Sequence, residues 1–377
     1  MSRVALSEKD IKALTDFLGS VSKDPLEFVR LAFPWGEPNT QLEDKEGPDI
    51  WQIELLNDIK EGLKTPDQVI REAVASGHGI GKSAMVAWII LWAISTHEDT
   101  KGVVTANTDT QLKTKTWAEL AKWYYLFIAK DLFTYSATSI YSNQEGHEKT
   151  WRIDAIPWND SNPAAFAGLH NQGKRTLVIF DEASEISDII WEVAEGAMTD
   201  ADTEIIWCVF GNPTQSSGRF HACFHKNRSL WNRKQIDSRT VKISNKAELE
   251  GWRVQYGEDS DFFKVRVKGE FPSASEKQFI STALVDEARR RTLHEKQFRF
   301  APVIIACDPA WTGGDETVIY LRQGLFTKKL FATTKNDNDI EIAGILARFE
   351  DEYKADAVFI DLGYGTGIKS AGDAWGR

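Results

Sequence analysis

The chain has 377 residues, 42% hydrophobic and 27% charged, which suits two or three packed domains and excludes a collagen-like, low-complexity or disordered chain. Its formal net charge of −11 argues against a protein coated in nucleic acid over its whole surface. Three widely spaced cysteines, Cys208, Cys223 and Cys307, form neither a disulfide framework nor a zinc pattern and fit a reducing cytoplasm.

Ile11, Leu14, Phe17 and Leu18 have helical spacing behind a polar N-terminus that lacks the apolar core of a secretion signal. Asp24-Pro25 reads as the cap and first residue of a helix to about Leu31. Trp51, Leu55, Ile59 and Leu63 predict an amphipathic helix over 51–63. A strand over 69–75, a Gly-rich turn and an apolar helix over 83–95 follow. The longest apolar stretch, 84–94, falls well short of the roughly 20 residues a bilayer span needs, so no membrane partner is expected. Next come a strand over 103–106, a long helix over 111–128, and apolar runs over 177–180 and 205–210. Residues 219–242 carry seven Lys or Arg against one acid, Asp237: a basic strip able to meet a phosphate backbone, or a solvated face. Beyond a polar joint, strands are expected over 303–307, 317–321, 325–331 and 357–360, with a helix over 340–353. The alternation predicts an α/β fold with a mainly parallel sheet covered by helices on both faces. The divisions are a leading segment (1–50), a first α/β domain carrying the Gly-rich turn (51–272), a joint (273–300) and a second α/β unit (301–377).

The strongest motif is Ser76-Gly77-His78-Gly79-Ile80-Gly81-Lys82-Ser83, between a strand and a helix as a Walker A loop requires. Gly77, Gly79 and Gly81 let backbone N–H groups turn inward around a phosphate. Lys82 places a positive charge on the β- and γ-phosphates, Ser83 offers a hydroxyl to Mg²⁺, and the following helix points its positive end at the anion. Ser76 stands where the usual pattern has glycine, so backbone strain is expected there. In Leu177-Val178-Ile179-Phe180-Asp181-Glu182 a buried strand delivers Asp181 to hold Mg²⁺ and Glu182 to polarise the water attacking the γ-phosphate of ATP. Gln52 offers an amide to adenine, or is a surface helix glutamine. Asn212, in Gly211-Asn212-Pro213, senses the γ-phosphate, or belongs to a plain turn.

Together these segments resemble the large terminase subunit of tailed bacteriophages and prophages. The likeness rests on Trp51-Gln52, the loop 76–83, Asp181-Glu182-Ala183, Gly211-Asn212-Pro213-Thr214, the segment 265–272 (VRVKGEFP), Cys307-Asp308-Pro309, Gly314-Asp315 and Ile360-Asp361, over about residues 30–377. The resemblance implies an additional-strand P-loop ATPase that drives double-stranded DNA into a procapsid, joined to an RNase H-like, metal-dependent endonuclease. It implies Asp308 and Asp361 as ligands of Mg²⁺ or Mn²⁺, with Asp315 as an assistant or a turn former. The implied partners are DNA, the small terminase subunit and the portal protein, with a homo-oligomer on the portal in the bacterial host cytoplasm.

Two departures shape the expectations. The family's third carboxylate comes from a helix later than this chain's last residue, so the second unit is read as C-terminally incomplete and weak or absent cleavage is expected. His78 stands where some relatives carry a cis-acting arginine. A neutral imidazole does not replace that charge, so the finger is expected from a neighbouring subunit, with slow hydrolysis by lone monomers. The alternatives are a helicase-like P-loop translocase without nuclease activity and a non-enzymatic prophage remnant.

Overall fold

The computed structural model describes residues 7–65, 68–106, 108–158, 169–272, 287–310, 316–334 and 338–361. The chain divides into two compact units, Met1–Leu284 and Val285–Arg377. Of the expected joint, residues 273–286 lie outside the described residues.

The first unit begins with α1 (Glu8–Ser20), α2 (Pro25–Leu31) and α3 (Ile50–Gly62). Each starts where a short acceptor side chain satisfies a free N–H. Ser7 and Asp10 form a reciprocal capping box, Asp24 accepts from the Glu27 N–H ahead of Pro25, and Asp49 pairs with Gln52. The sheet consists of β1 (Ile70–Ser76), β2 (Lys101–Thr105), β3 (Phe133–Tyr135), β4 (Ser139–Ser142), β5 (Arg152–Ala155), β6 (Arg175–Phe180), β7 (Glu204–Gly211) and β8 (Asn232–Ile236). Their order is β3-β4-β5-β2-β6-β7-β1-β8. Every pairing from β5 to β8 is parallel, and β4 is antiparallel to both its neighbours. The mixed α/β class with a mainly parallel sheet is therefore as expected.

Alternation along the central strands builds two cores. Val74, Leu177, Ile179, Ile206, Cys208 and Phe210 face α3 and α4 (Lys82–Ser95). Ala73, Ala75, Val178, Phe180, Trp207 and Val209 face the helices Asp188–Gly196 and Gly218–Phe224, around Trp191 and Trp231. With both faces covered, these strands are nearly continuous apolar runs. Arg175, fully buried, stacks 4.2 Å from the Trp92 ring centre and donates to Glu204 at 2.7 Å and to the Ser22 carbonyl at 3.0 Å. It ties the leading helices to the sheet.

Two features differ from the expectations, and a third bears on the basic strip. The helix over 111–128 is interrupted by a π-helical turn, Leu112–Thr116, before Trp117–Leu126. The widened turn ends at Thr116, which reaches Asp181. Strands β3, β4, β5 and β8 lack the apolar runs that announce the others; β8, an edge strand reading Asn-Arg-Lys-Gln-Ile, buries only Ile236. Much of the basic strip is spent within the chain. Arg219 pairs with Glu192 and Glu195, Lys234 with Glu54 and Asp58, Arg239 with Asp237 and Glu258, and Lys242 with Glu46.

The second unit contains β9 (Val303–Asp308), β10 (Thr317–Gln323), β11 (Phe326–Thr333), the helix Asp339–Tyr353 and β12 (Ala357–Ile360). The order is β11-β10-β9-β12; the first three are antiparallel, and β12 runs parallel to β9. Ile305, Cys307, Ile319, Ile342, Leu346 and Phe349 form its core. All three cysteines are buried and free; burial raises each thiol, Cys223 to about 12 and Cys307 to about 11. No helix among the described residues is long and apolar enough to cross a membrane.

Glu72 on β1 is buried. Asn232 Nδ2 donates to its Oε1 at 2.8 Å, while Oε2 has no hydrogen-bond partner among the described residues. Burial pushes its carboxyl from 4.5 up to about 8. The folded chain then keeps a proton that the unfolded chain releases, so this contribution to stability is complete below 4.5 and is lost as pH rises through about 8. Urea midpoints are expected to fall over that window, and Glu72→Gln to flatten the fall. An unchanged pH profile in the variant would refute the assignment.

Candidate active site

β1 ends at Ser76, and the chain turns through Gly77 to Gly81 into α4. The loop is held from outside. Gly77 N–H donates to the Ile236 carbonyl at 3.1 Å and His78 N–H to the Arg266 carbonyl at 2.8 Å. The Ser238 hydroxyl donates to the His78 carbonyl at 2.7 Å. From α3, Trp51 Nε1 donates to the Ile80 carbonyl at 3.2 Å and Gln52 Nε2 to the Gly81 carbonyl at 3.3 Å. A Cβ on Gly77 would lie 2.3 Å from Ser238 Oγ and 2.4 Å from the Val267 carbonyl oxygen, so only glycine fits. Gly79 and Gly81 turn the loop with φ of 70° and 86°.

Ser76 carries no positive φ; it completes the strand, and its hydroxyl donates to the Gly77 carbonyl at 2.9 Å. The expected backbone strain is absent at this residue. Lys82 Nζ donates to Ser76 Oγ at 3.0 Å and to Asn212 Oδ1 at 3.3 Å, while Asn212 Nδ2 donates to the Ser76 carbonyl at 2.6 Å. Desolvation lowers the Lys82 pKa, and Glu182 and Asp181 oppose that shift. Asn212 is thus a buried bridge rather than a plain turn residue. Gln52 is likewise not a surface residue: it is 5% exposed, and its Oε1 also accepts from the Asp49 N–H at 2.8 Å.

β7 lies between β1 and β6, so Ser76, Asn212 and Asp181 end three neighbouring strands. Asp181 Oδ2 accepts from the Thr116 hydroxyl at 2.6 Å and Oδ1 from the Glu182 N–H at 3.1 Å. Glu182 has φ of 54°, the left-handed region, which costs a non-glycine residue about 1–2 kcal/mol. Burial raises its carboxyl, with Lys82 pulling the other way. A cavity of about 820 Å³ is lined by Gln52, His78, Lys82, Ser83, Glu182 and Asn212, among others. Trp35, Trp88 and Trp123 also line it, with ring centres 5.0–5.7 Å apart. Exposed His78 is held neutral. Desolvation, then the charges of Lys82, Arg266 and Lys115, push its imidazole down to about 4; its exposure tempers the first cause and leaves the three cations. Thr116 and Ser238 had no motif to announce them, and Arg266 lay in the segment 265–272, to which the sequence assigns no role at the loop.

In the second unit, Asp308 ends β9 and Asp361 follows β12. Asp361 N–H donates to the Cys307 carbonyl at 2.9 Å, continuing the parallel ladder. Both aspartates are exposed and line one cavity of about 520 Å³. Asp315 lies outside the described residues.

No family model matches the chain. A curated relative, the probable terminase large subunit of Enterobacteria phage P7, is 26% identical over 234 residues, covering 58% of this chain and 46% of that protein. The chain resembles a phage large terminase subunit. The resemblance read from its motifs is thereby borne out, although the match spans under half of the relative. Solved structures similar to this chain include the large terminase of a thermophilic bacteriophage (13% identity, TM-score 0.45, covering 86% of this chain and 80% of that one). Another is the large terminase ATPase domain of Thermus phage P74-26 (13% identity, TM-score 0.44, covering 59% and 94%).

Three glycine substitutions separate crowding from backbone strain. Gly77→Ala is expected to cost about 1–3 kcal/mol through its clash, and Gly79→Ala, in open space at positive φ, about 1 kcal/mol. Gly251→Ala, on the open face of the helix Lys246–Tyr256, should be neutral or stabilising by up to about 1 kcal/mol. A denaturant midpoint for Gly77→Ala no lower than that of Gly79→Ala would contradict the crowding at Gly77.

Proposed function

We propose that the chain is an ATP-hydrolysing large terminase subunit. The observation that carries this reading is that the ammonium of Lys82 and the carboxylate of Glu182 face one cavity at the mouth of a glycine-rich loop. Backbone N–H groups of the loop and the N-terminus of α4 would receive the β- and γ-phosphates. Lys82 would exchange Ser76 and Asn212 for phosphate oxygens. Glu182, its carboxyl raised by burial, would orient the attacking water and accept its proton as the bond from the γ-phosphorus to ADP breaks. Asp181, oriented by Thr116, and Ser83 are oxygen donors suited to a hard cation and would hold Mg²⁺, whose charge offsets that of the phosphate oxygens. Gln52 would act by holding Gly81, and Asn212 by reporting whether Lys82 has left it.

The relative's name and the order of motifs support a DNA-packaging motor. Such a motor would act on double-stranded DNA, with the small terminase subunit and portal protein as partners and a homo-oligomer on the portal, in the bacterial host cytoplasm. The second unit supports an RNase H-like endonuclease reading: three antiparallel strands, a helix, then a strand parallel to the first, with carboxylates at two adjacent strand ends. Asp308 and Asp361 are hard oxygen donors suited to Mg²⁺ or Mn²⁺. This pair weighs against a helicase-like translocase, and the Lys82–Glu182 cavity weighs against an inert remnant.

Phosphate release from ATP is expected to vanish in Lys82→Ala. In Glu182→Gln it should fall by about a hundredfold or more while nucleotide binding is retained. Hydrolysis that survives Lys82→Ala would refute the reading. For the second unit, an Mn²⁺ titration followed by electron paramagnetic resonance should show a site lost in Asp308→Asn and in Asp361→Asn. Unchanged Mn²⁺ binding in both variants would dismiss the pair as ligands.

A further inference from the structure

His78 and Arg266 meet at the rim of the loop. Arg266 Nη1 lies 3.2 Å from His78 Nε2, and the Arg266 carbonyl accepts the His78 N–H at 2.8 Å. The two residues therefore join through both backbone and side chain, 188 positions apart. A guanidinium can only donate, so His78 Nε2 is the acceptor in this contact. A neutral imidazole that accepts at Nε2 carries its proton on Nδ1. His78 lines the same cavity as Lys82 and Glu182. The groups facing it are Lys82 on α4, Arg266 on the turn Lys264–Lys268 and Lys115 on the turn Leu112–Thr116; all three are cations that disfavour an imidazolium.

We propose that Arg266 is a positioning residue for phosphoryl transfer. Acting through His78, it fixes the Nδ1–H tautomer and places guanidinium charge behind a donor aimed at the γ-phosphate. A neutral imidazole alone offers dipole but no charge; with an arginine on its far nitrogen it becomes a charge-backed donor. The chain then supplies in cis what the loop sequence suggested a neighbouring subunit must provide. This inference rests on the ATPase reading, and it names the chemistry recognised: the terminal phosphate of a nucleoside triphosphate.

The test uses the full chain and two readouts. Long-range ¹⁵N correlation spectra of histidine-labelled protein should show a single Nδ1–H tautomer for His78, and a mixture in Arg266→Ala. Steady-state ATP hydrolysis by Arg266→Ala should lose roughly tenfold or more in kcat with a smaller change in KM. Arg266→Gln, which keeps one donor without the charge, should retain the tautomer and lose kcat, separating orientation from electrostatics and controlling for misfolding. His78→Arg should recover hydrolysis in the Arg266→Ala background by moving the charge onto the loop. Specific activity should also be independent of chain concentration. Parental kcat in Arg266→Ala, or an Nε2–H tautomer in the parent, overturns the relay while leaving the ATPase reading intact. Absence of Lys82-dependent hydrolysis in the parent overturns the ATPase reading, and the relay with it.

Discussion

Among the described glycines of the first unit, Gly77 has the tightest seat. Two carbonyl oxygens, of Arg266 and Val267, and the Ser238 hydroxyl crowd the place a Cβ would take so closely that no side chain fits. A glycine-rich loop is otherwise free to sample many conformations, and that entropy opposes a preformed anion cradle. Here external hydrogen bonds, to the Ile236 and Arg266 carbonyls and from Ser238 on one side, and from Trp51 and Gln52 on the other, determine its path. The loop is thus shaped by residues distant in sequence, and the position of Lys82 follows from theirs.

Around that fixed loop the site is held under tension. Lys82 is desolvated and leans on neutral acceptors, Ser76 and Asn212, rather than on a carboxylate. Glu182 is forced into a left-handed backbone conformation and a partly desolvated position. Strain and desolvation of this kind persist only where surrounding packing over-determines them. Both cores supply that packing: Phe180 and Trp191 beneath β6, and the nearly all-apolar α4 on the opposite face.

Much of this architecture was legible in the residues. Buried parallel strands read as short apolar runs, so the ends of β1, β6 and β7 could be located, and with them Ser76, Asp181 and Asn212. Asp24-Pro25 marked the start of α2 because cap chemistry is local. What could not be read was non-local or polar. β8 has an edge strand's polar face and no apolar run. The π-helical turn at 112–116 leaves a pattern resembling an ordinary helix, and its purpose appears only when Thr116 reaches Asp181. The His78–Arg266 contact spans nearly half the chain, and no spacing rule covers it. The net charge of the basic strip was only partly legible, because charge counted along the chain ignores the acids that folding brings beside it, such as Glu54 and Asp58 at Lys234.

The interment of every sulfhydryl has a practical meaning for handling the protein. Cys208 and Cys223 sit in separate cores of the first unit and Cys307 in that of the second, each shielded and poorly ionised. Alkylating dyes attack thiolates they can reach. The native molecule is therefore chemically silent toward them, and a cysteine added on its surface would be the sole point of attachment for a fluorophore, while loss of structure would announce itself as the appearance of reactive sulfur.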